Sequence, residues 1–303
     1  MGLLTDPFAA DFMRRALVGA MLAGAVAGLV GTWVIMRSLT FMGDAVSHGV
    51  LPGVALAVLL GTDVTLGAAV AGGLLVIAVA LVSRRGQIGH DAAIGLVFVG
   101  MLSLGVIIMS KTPTFSGSLT EALFGNVLGL EGSDIATQVA ALAFTIVATC
   151  VMYRPFVALT FSEKKAAALG LRPALADGVM LALVGLAVVA SFRAVGTLLT
   201  FGLLVGPPST ALSLFRRIPV VLVGSVAVAV LCAWLGLVIS FHADTAPGAT
   251  VAFTAVVTFL LTLAAKEVVG ALRSHRERRR LANVGTRTGR PHAGEASKGD
   301  GKS

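Results

Sequence analysis

Long runs without a charged residue constrain the fold of this chain more than any other feature. The first covers residues 16–36, between Arg15 and Arg37. Further runs lie at 45–62, 64–83, 92–110, 135–153, 178–192, 194–215, 218–241 and 246–265. A helix of about 20 apolar residues matches the hydrocarbon thickness of a bilayer. The sequence therefore predicts an all-α integral membrane protein with about nine transmembrane helices.

Composition excludes the main alternatives to helical spans. Hydrophobic residues make up 56% of the chain and charged residues only 13%, whereas soluble domains carry about a quarter charged residues. The mean hydropathy is +0.94. Aromatic residues are scarce at 6%, which argues against an outer-membrane barrel with its aromatic girdles.

The basic character of the chain belongs mainly to its C-terminal end. Ten Lys/Arg and four Asp/Glu lie from Lys266 onward, so this end carries +6 of the net +8. We predict an N-terminal segment at 1–13, a transmembrane domain at 14–266 and a disordered basic tail at 267–303. Such a tail is expected to lie in the cytoplasm and to touch anionic lipid rather than nucleic acid.

Orientation follows from the positive-inside rule. With the tail inside and nine spans, the cytoplasmic side receives Arg37, Arg84, Arg85, Arg154, Lys164, Lys165, Arg216 and Arg217. Lys111 and Arg193 fall outside. Arg14 and Arg15 also fall outside, and this is the one conflict with the rule. An even count of eight or ten spans, or a short N-terminal helix on the membrane surface, would remove it.

Asp44 and His48 are the leading candidates for a functional site, because ionisable side chains inside a span are costly. Their spacing of four places both on one helix face. Carboxylate and imidazole are ligands for divalent first-row metals, and the pair could also relay protons. A hydrogen bond within the helix is the structural alternative.

Proline interrupts the helix at two places near candidate pathway residues. Pro52 lacks the N–H that would bond to the carbonyl of His48, so we expect a kinked span there. Pro207 and Pro208 free the carbonyls of Leu203 and Leu204 and predict a second broken span, with an ordinary proline kink as the alternative. Discontinuous helices line transport sites in membrane proteins.

Three further ionisable residues are candidates. Glu121 lies in the irregular segment 111–133, while His242 and Asp244 precede the last span. Between two spans, residues 154–172 contain a predicted short helix with Ser162 as N-cap and Gly170 as its stop. This helix could be a docking surface for a soluble partner or an ordinary amphipathic loop.

Two catalytic patterns are absent. The zinc-protease pattern needs a second His and a Glu on the same helix as His48. The C-terminal Gly301-Lys302-Ser303 has Ala296 where a phosphate loop needs Gly, and no helix follows it.

Five segments together resemble the permease subunits of ABC importers for zinc, manganese and iron(II). They are GDAVSHGVLPGVAL at 43–56, ALFGNVLGL at 122–130, FSEKKAAALGL at 161–171, RAVGTLLTFGLLVGPPSTALSL at 193–214 and DTAPGAT at 244–250. The resemblance runs from about residue 10 to 265, and the segments keep the family's order.

The resemblance implies a type II ABC importer-like permease in a bacterial cytoplasmic membrane. Its partners would be a second copy of itself, cytoplasmic ATP-binding subunits and an extracytoplasmic solute-binding protein that delivers the metal. The chain itself would not be an enzyme, because ATP hydrolysis would occur in the partner. No cofactor is expected to stay bound; Zn²⁺ or Mn²⁺, with Fe²⁺ as a further candidate, would pass through.

The resemblance also assigns roles to residues. Asp44 and His48 match a DxxxH pattern on the transport path, and Asp244 matches the acidic residue before the last span. The segment facing the ATPase would contain Ser162, Glu163, Lys164, Lys165, Leu169 and Gly170. The chain departs from the family at Ser162, where an acidic residue is usual, and at Ala249, where Pro is expected.

Two other function classes are alternatives for a chain of this kind. A self-contained proton- or ion-driven metal carrier would use Asp44 and His48 as a relay and should show inverted repeats, of which the sequence has no convincing example. A membrane scaffold or intramembrane enzyme should show a nucleophile–base pair or a full metal triad, and the sequence shows neither.

Overall fold

The structure, a computed structural model, describes residues 10–85, 90–110 and 129–288. Side chains are described for these ranges except at 84, 85, 90, 163, 192–199 and 269–288. The described residues form helices and no strands. They are α1 (Asp11–Met36), α2 (Thr40–Gly49), α3 (Leu51–Leu60), α4 (Val64–Arg85), α5 (His90–Met109), α6 (Gly132–Val151), α7 (Tyr153–Phe161), α8 (Glu163–Ala168), α9 (Pro173–Leu214), α10 (Ile218–Ala243) and α11 (Pro247–Thr288).

The predicted membrane fold is confirmed. Eight helical segments among the described residues are long and apolar enough to cross a bilayer. In one of them, Thr40–Leu60, α2 and α3 form a single span. The one remaining predicted span, 194–215, lies in the second half of α9.

Helix α1 forms the centre of the bundle, because its small residues let two other helices come close. A Cβ on Gly24 would be 3.4 Å from Ala229 Cβ, and a Cβ on Gly28 would be 3.0 Å from the Ser225 carbonyl oxygen, both on α10. A Cβ on Gly31 would overlap the carbonyl group of Leu204 on α9. The small-residue ladder of the first span therefore packs helix against helix, as its spacing predicts.

Helix α9 bends back on itself between its two halves. Asp177 near its start pairs with Arg37, and Leu204 packs against Gly31. A straight helix would separate Asp177 and Leu204 by about 40 Å, whereas Gly31 and Arg37 are about 9 Å apart along α1. The two ends of α9 are thus on the same side of the bundle, which agrees with the prediction of two spans in this region.

The chain divides into two compact units, residues 1–260 and 261–303. The second unit contains the last part of α11, which runs to Thr288. The sequence predicts a disordered tail from residue 267, but residues 267–288 are helical. Arg, Glu, Leu and Ala supply good helix formers in this stretch. The remainder of the predicted tail lies outside the described residues.

The close approach at Gly31 predicts a strong effect of a single methyl group. Gly31→Ala should lower the free energy of unfolding by about 1–3 kcal/mol, because the α9 backbone must move away. Gly73→Ala is the matched control, since nothing lies within 4 Å of a Cβ built on Gly73 in α4. Thermal unfolding in detergent measures both; equal melting temperatures for the two variants would contradict the packing described.

Candidate functional site

Asp44 and His48 form a pair on α2. Their Oδ1 and Nε2 atoms are 3.5 Å apart, and the side chains keep 32% and 28% of their exposure, respectively. This separation is too long for a tight hydrogen bond. The lone pairs of the Asp44 carboxylate and the His48 imidazole therefore remain available to a third atom, such as a metal ion or a proton carrier.

The remainder of α2 is packed against the bundle. Met42, Gly43, Ala45, Val46, Ser47 and Gly49 are buried. A Cβ on Gly43 would overlap Leu204 of α9, and one on Gly49 would overlap Leu75 of α4. Asp44 and His48 therefore lie on the side of α2 that stays partly exposed in this chain.

The span that carries this pair is broken beside it. Helix α2 ends at Gly49 and α3 begins at Leu51, with Val50 between them. Pro52 has no N–H for the carbonyl of His48, so the regular helical bond is missing at that point. Beyond the break, α3 approaches α4 closely, since a Cβ on Gly53 would overlap the backbone of Gly67. The break predicted from Pro52 is present in the structure.

The second break, predicted at Pro207 and Pro208, is wrong, because the double proline lies inside α9 without ending it. Membrane helices tolerate proline where neighbouring groups satisfy the freed carbonyls. Pro208 packs against α1, where its Cγ would be 2.9 Å from a Cβ on Gly31. Leu204, four residues earlier, packs against Gly43, the neighbour of Asp44. The fold thus brings the second proline segment next to Gly43, on the part of α2 that carries Asp44.

His242 and Asp244 lie at the exposed end of α10. His242 Nδ1 is 2.8 Å from the carbonyl oxygen of Val238. Asp244 follows the helix in the left-handed conformation, with φ of 47°. Within the described residues, no group of three or more His, Cys, Asp and Glu side chains could hold a metal ion. Within the described part of one chain, His242 and Asp244 therefore do not form a metal site together with Asp44 and His48. Glu121 lies outside the described residues.

The short helix predicted between two spans is α8, and both of its ends are as expected. Ser162 Oγ accepts a bond from the Lys165 N–H at 3.4 Å. At the other end, Gly170 has φ of 71°. Its N–H bonds to Ala167 O, and that of Leu171 bonds to Ala166 O, which is the Schellman arrangement.

Helix α8 presents a mixed basic and apolar surface. Lys164 and Lys165 are exposed. Phe161 before the helix is 77% exposed and Leu169 after it is 72% exposed, while Ala166 is fully buried against the bundle. This combination of one anchored side and one exposed apolar and charged side is typical of a docking surface.

A cavity of about 730 Å³ lies away from the Asp44–His48 pair, beside α6 and α9. Two carboxylates line it, and each caps a helix: Asp63 Oδ1 accepts from Thr65 N–H at 2.6 Å, and Asp134 Oδ2 accepts from Glu131 N–H at 3.0 Å. Capping is a sufficient structural reason for both residues.

Sequence reasoning missed one polar contact near the site. Arg37 NH2 is 2.9 Å from Asp177 Oδ1, and Arg37 NH1 donates to the carbonyl oxygen of Leu159 at 2.9 Å. A carboxylate in the first turns of a span was the available signal, because Asp177 needs a partner at that depth. Its partner is 140 residues away in the sequence, which no local pattern indicates.

Comparison with known proteins agrees with this fold. The ABC 3 transport family matches residues 9–266. The chain is 32% identical to the chelated iron transport system membrane protein YfeD of Yersinia pestis, over 86% of this chain and 88% of that protein. It is 32% identical to the manganese transport system membrane protein MntC of Halalkalibacterium halodurans, over 83% and 86%.

A solved structure of PsaBC from Streptococcus pneumoniae in complex with Fab has the same fold. The TM-score is 0.75 at 30% sequence identity, and the match covers 86% of this chain and 94% of that one.

The N-cap of α8 generates a prediction that needs no partner protein. Ser162→Ala should raise tryptic cleavage after Lys164 and Lys165 by up to about fivefold, because losing a cap costs about 1 kcal/mol and cleavage follows local opening. Ser162→Asp keeps an acceptor and should leave the rate unchanged. Mass spectrometry of the peptides measures both, with cleavage after Arg217 as internal control. Equal rates in the two variants would show that the cap does not hold α8.

Proposed function

The chain belongs to the ABC 3 transport family, and we propose that it forms the translocation pathway of an ATP-driven importer of divalent transition-metal ions. The ions would be Zn²⁺, Mn²⁺ or Fe²⁺. The observation that carries the proposal is the Asp44–His48 pair, held 3.5 Å apart on the partly exposed side of a broken span. The names of the two relatives, for manganese and for chelated iron, support the same class of cargo.

A second copy of the chain completes this pathway. Structural metal sites commonly take four protein ligands and open ones three, and Asp44 with His48 supplies two. Leaving a carboxylate and an imidazole towards lipid would be costly. Two chains that face each other along α2 would cover both pairs and bring together two carboxylates and two imidazoles on one axis.

The site is expected to hold an ion only briefly. A conduction site must bind well enough to admit the ion and weakly enough to release it. The break at Val50 and Pro52 lets α2 move with respect to α3, so that ligands can separate without unfolding the span. Asp244, exposed at the end of α10, and His242 beside it would lie near the entrance, where a solute-binding protein delivers the metal.

The energy comes from a separate ATP-binding subunit. Helix α8 would contact it through Lys164, Lys165, Leu169 and Phe161, the exposed residues described above. The capping residues Ser162 and Gly170 fix the shape of this contact, and the resemblance to the family places Glu163 in the same segment. ATP binding by the partner moves α8 and opens the pathway towards the other face of the membrane. This places α8 and the C-terminal tail in the cytoplasm of a bacterial cell.

The metal pair generates a direct test of the pathway. Asp44→Ala and His48→Ala should each lower Mn²⁺ or Zn²⁺ uptake by about tenfold or more, because even residues behind a ligand shell cost 10–100-fold. Uptake is measured in proteoliposomes that hold the complete importer, at equal amounts of assembled complex. Asp91→Asn is the matched control, since Asp91 is an exposed carboxylate at the start of α5. Normal uptake in both Asp44→Ala and His48→Ala would refute the pathway assignment.

The energy source distinguishes the importer from a self-contained carrier. Mn²⁺ uptake should require ATP inside the reconstituted system and should stop when the ATPase partner cannot hydrolyse it. A proton gradient of either direction, imposed without ATP, should drive no uptake. Gradient-driven uptake by the chain alone would support the carrier instead.

A further inference from the structure

Arg37 occupies the three-residue link between α1 and α2, and this link is rigid. Ser38 has φ of 57°, an uncommon conformation for a residue with a side chain. The Ser38 N–H bonds to Ile35 O at 3.0 Å, and the Leu39 N–H bonds to Val34 O at 2.8 Å. The position of Arg37 therefore fixes where α2 begins.

The guanidinium of Arg37 ties this link to two other helices. Its NH1 donates to the carbonyl oxygen of Leu159 in α7, and its NH2 pairs with Asp177 in α9, each at 2.9 Å. Helix α7 stops two residues after Leu159, at Phe161, because Ser162 is extended. The Leu159 carbonyl is thus a helix-end acceptor, which favours a cationic donor.

The two acceptors lie on either side of α8 in the sequence. Leu159 precedes Glu163 by four residues, and Asp177 follows Ala168 by nine. A displacement of α8 therefore acts on these two short connections as well as on the buried contact of Ala166. Arg37 holds both connections at once, and seven residues after Arg37 the chain reaches Asp44.

The charge of Asp177 alone does not explain why position 37 is an arginine. The two side chains retain 18% and 24% of their exposure, so a paired charge is needed there, but a lysine ammonium could supply it. The planar fork of arginine reaches two acceptors in fixed directions, whereas lysine is a point charge. The observed contacts use that fork.

We propose that Arg37 is a positioning residue that couples the movement of α8 to the Asp44–His48 pair on α2. This inference rests on the proposed function, because it assumes that an ATPase moves α8. Arg37 holds the α1–α2 link in register with the connections on both sides of α8. Without it, α8 moves and α2 does not follow.

Apolar packing next to Arg37 holds α1 and α7 together independently of the guanidinium. Trp33, one turn before Arg37, is 1% exposed. Its ring contacts Phe156 and Tyr153 of α7 at centroid distances of 5.2 and 5.9 Å. These contacts do not involve the guanidinium, so α1 and α7 should stay together in Arg37 variants.

The experiment measures Mn²⁺ transported per ATP hydrolysed in proteoliposomes with the complete importer. Arg37→Lys, Arg37→Ala and Asp177→Asn should each lower this ratio by about fivefold, the size expected when a coupling contact is lost. ATP hydrolysis per assembled complex should stay near the original rate. Arg216→Ala, which removes an exposed arginine between α9 and α10, should leave the ratio unchanged.

A double variant separates one shared contact from two independent effects. Arg37→Ala combined with Asp177→Asn should be no worse than Arg37→Ala alone, because both changes remove the same interaction. If uptake and hydrolysis fall together in every variant, or if the ratio is unchanged in Arg37→Lys and Asp177→Asn, the coupling role is refuted. An original complex that moves no Mn²⁺ would refute the proposed function and this inference together, whereas a normal ratio in the variants refutes the inference alone.

Discussion

Backbone contact between α1 and α9 is the constraint on which the remaining structure depends. Gly31 has no side chain, so the carbonyl group of Leu204 lies directly against it. The same leucine packs on Gly43, and this sets the distance of α2 from the bundle. In a membrane, where lipid is as apolar as the helices, such close packing supplies much of the force that holds helices together. The orientation of Asp44 and His48 follows from it.

Some polar side chains inside the spans have a partner on a second helix, whereas others, such as Gln138 and Ser191, have no hydrogen-bond partner among the described residues. Thr32 donates to the Gly28 carbonyl and contacts Ser225 across the interface with α10 at 2.8 Å. Asp177 has Arg37. The Asp44–His48 pair has a longer separation of 3.5 Å, and both of its side chains stay partly exposed. Under the proposed function, the pair is retained for ion transport rather than for stability.

Sequence patterns predicted the features that depend on nearby residues. The spans follow from charge-free runs, the ends of α8 from Ser162 and Gly170, and the break beside His48 from Pro52. The pairing of Arg37 with Asp177 could not be predicted, since it joins residues 140 positions apart. The helix beyond residue 267 was also missed, because net charge indicated disorder while local propensity favoured a helix. No residue pattern shows which side of α2 stays partly exposed, because that depends on which distant helices pack against it.

The bend in α9 also bears on how the chain enters the membrane during synthesis. Because both ends of α9 emerge on the same face, this segment adds no net crossing, wherever its apex stops within the bilayer. The segments before Pro173 and after Leu214 therefore keep a common side, and both carry basic residues, Lys164 and Lys165 in one and Arg216 and Arg217 in the other. The helices synthesised after α9 therefore keep their orientation in the membrane even if α9 inserts late, as one hairpin.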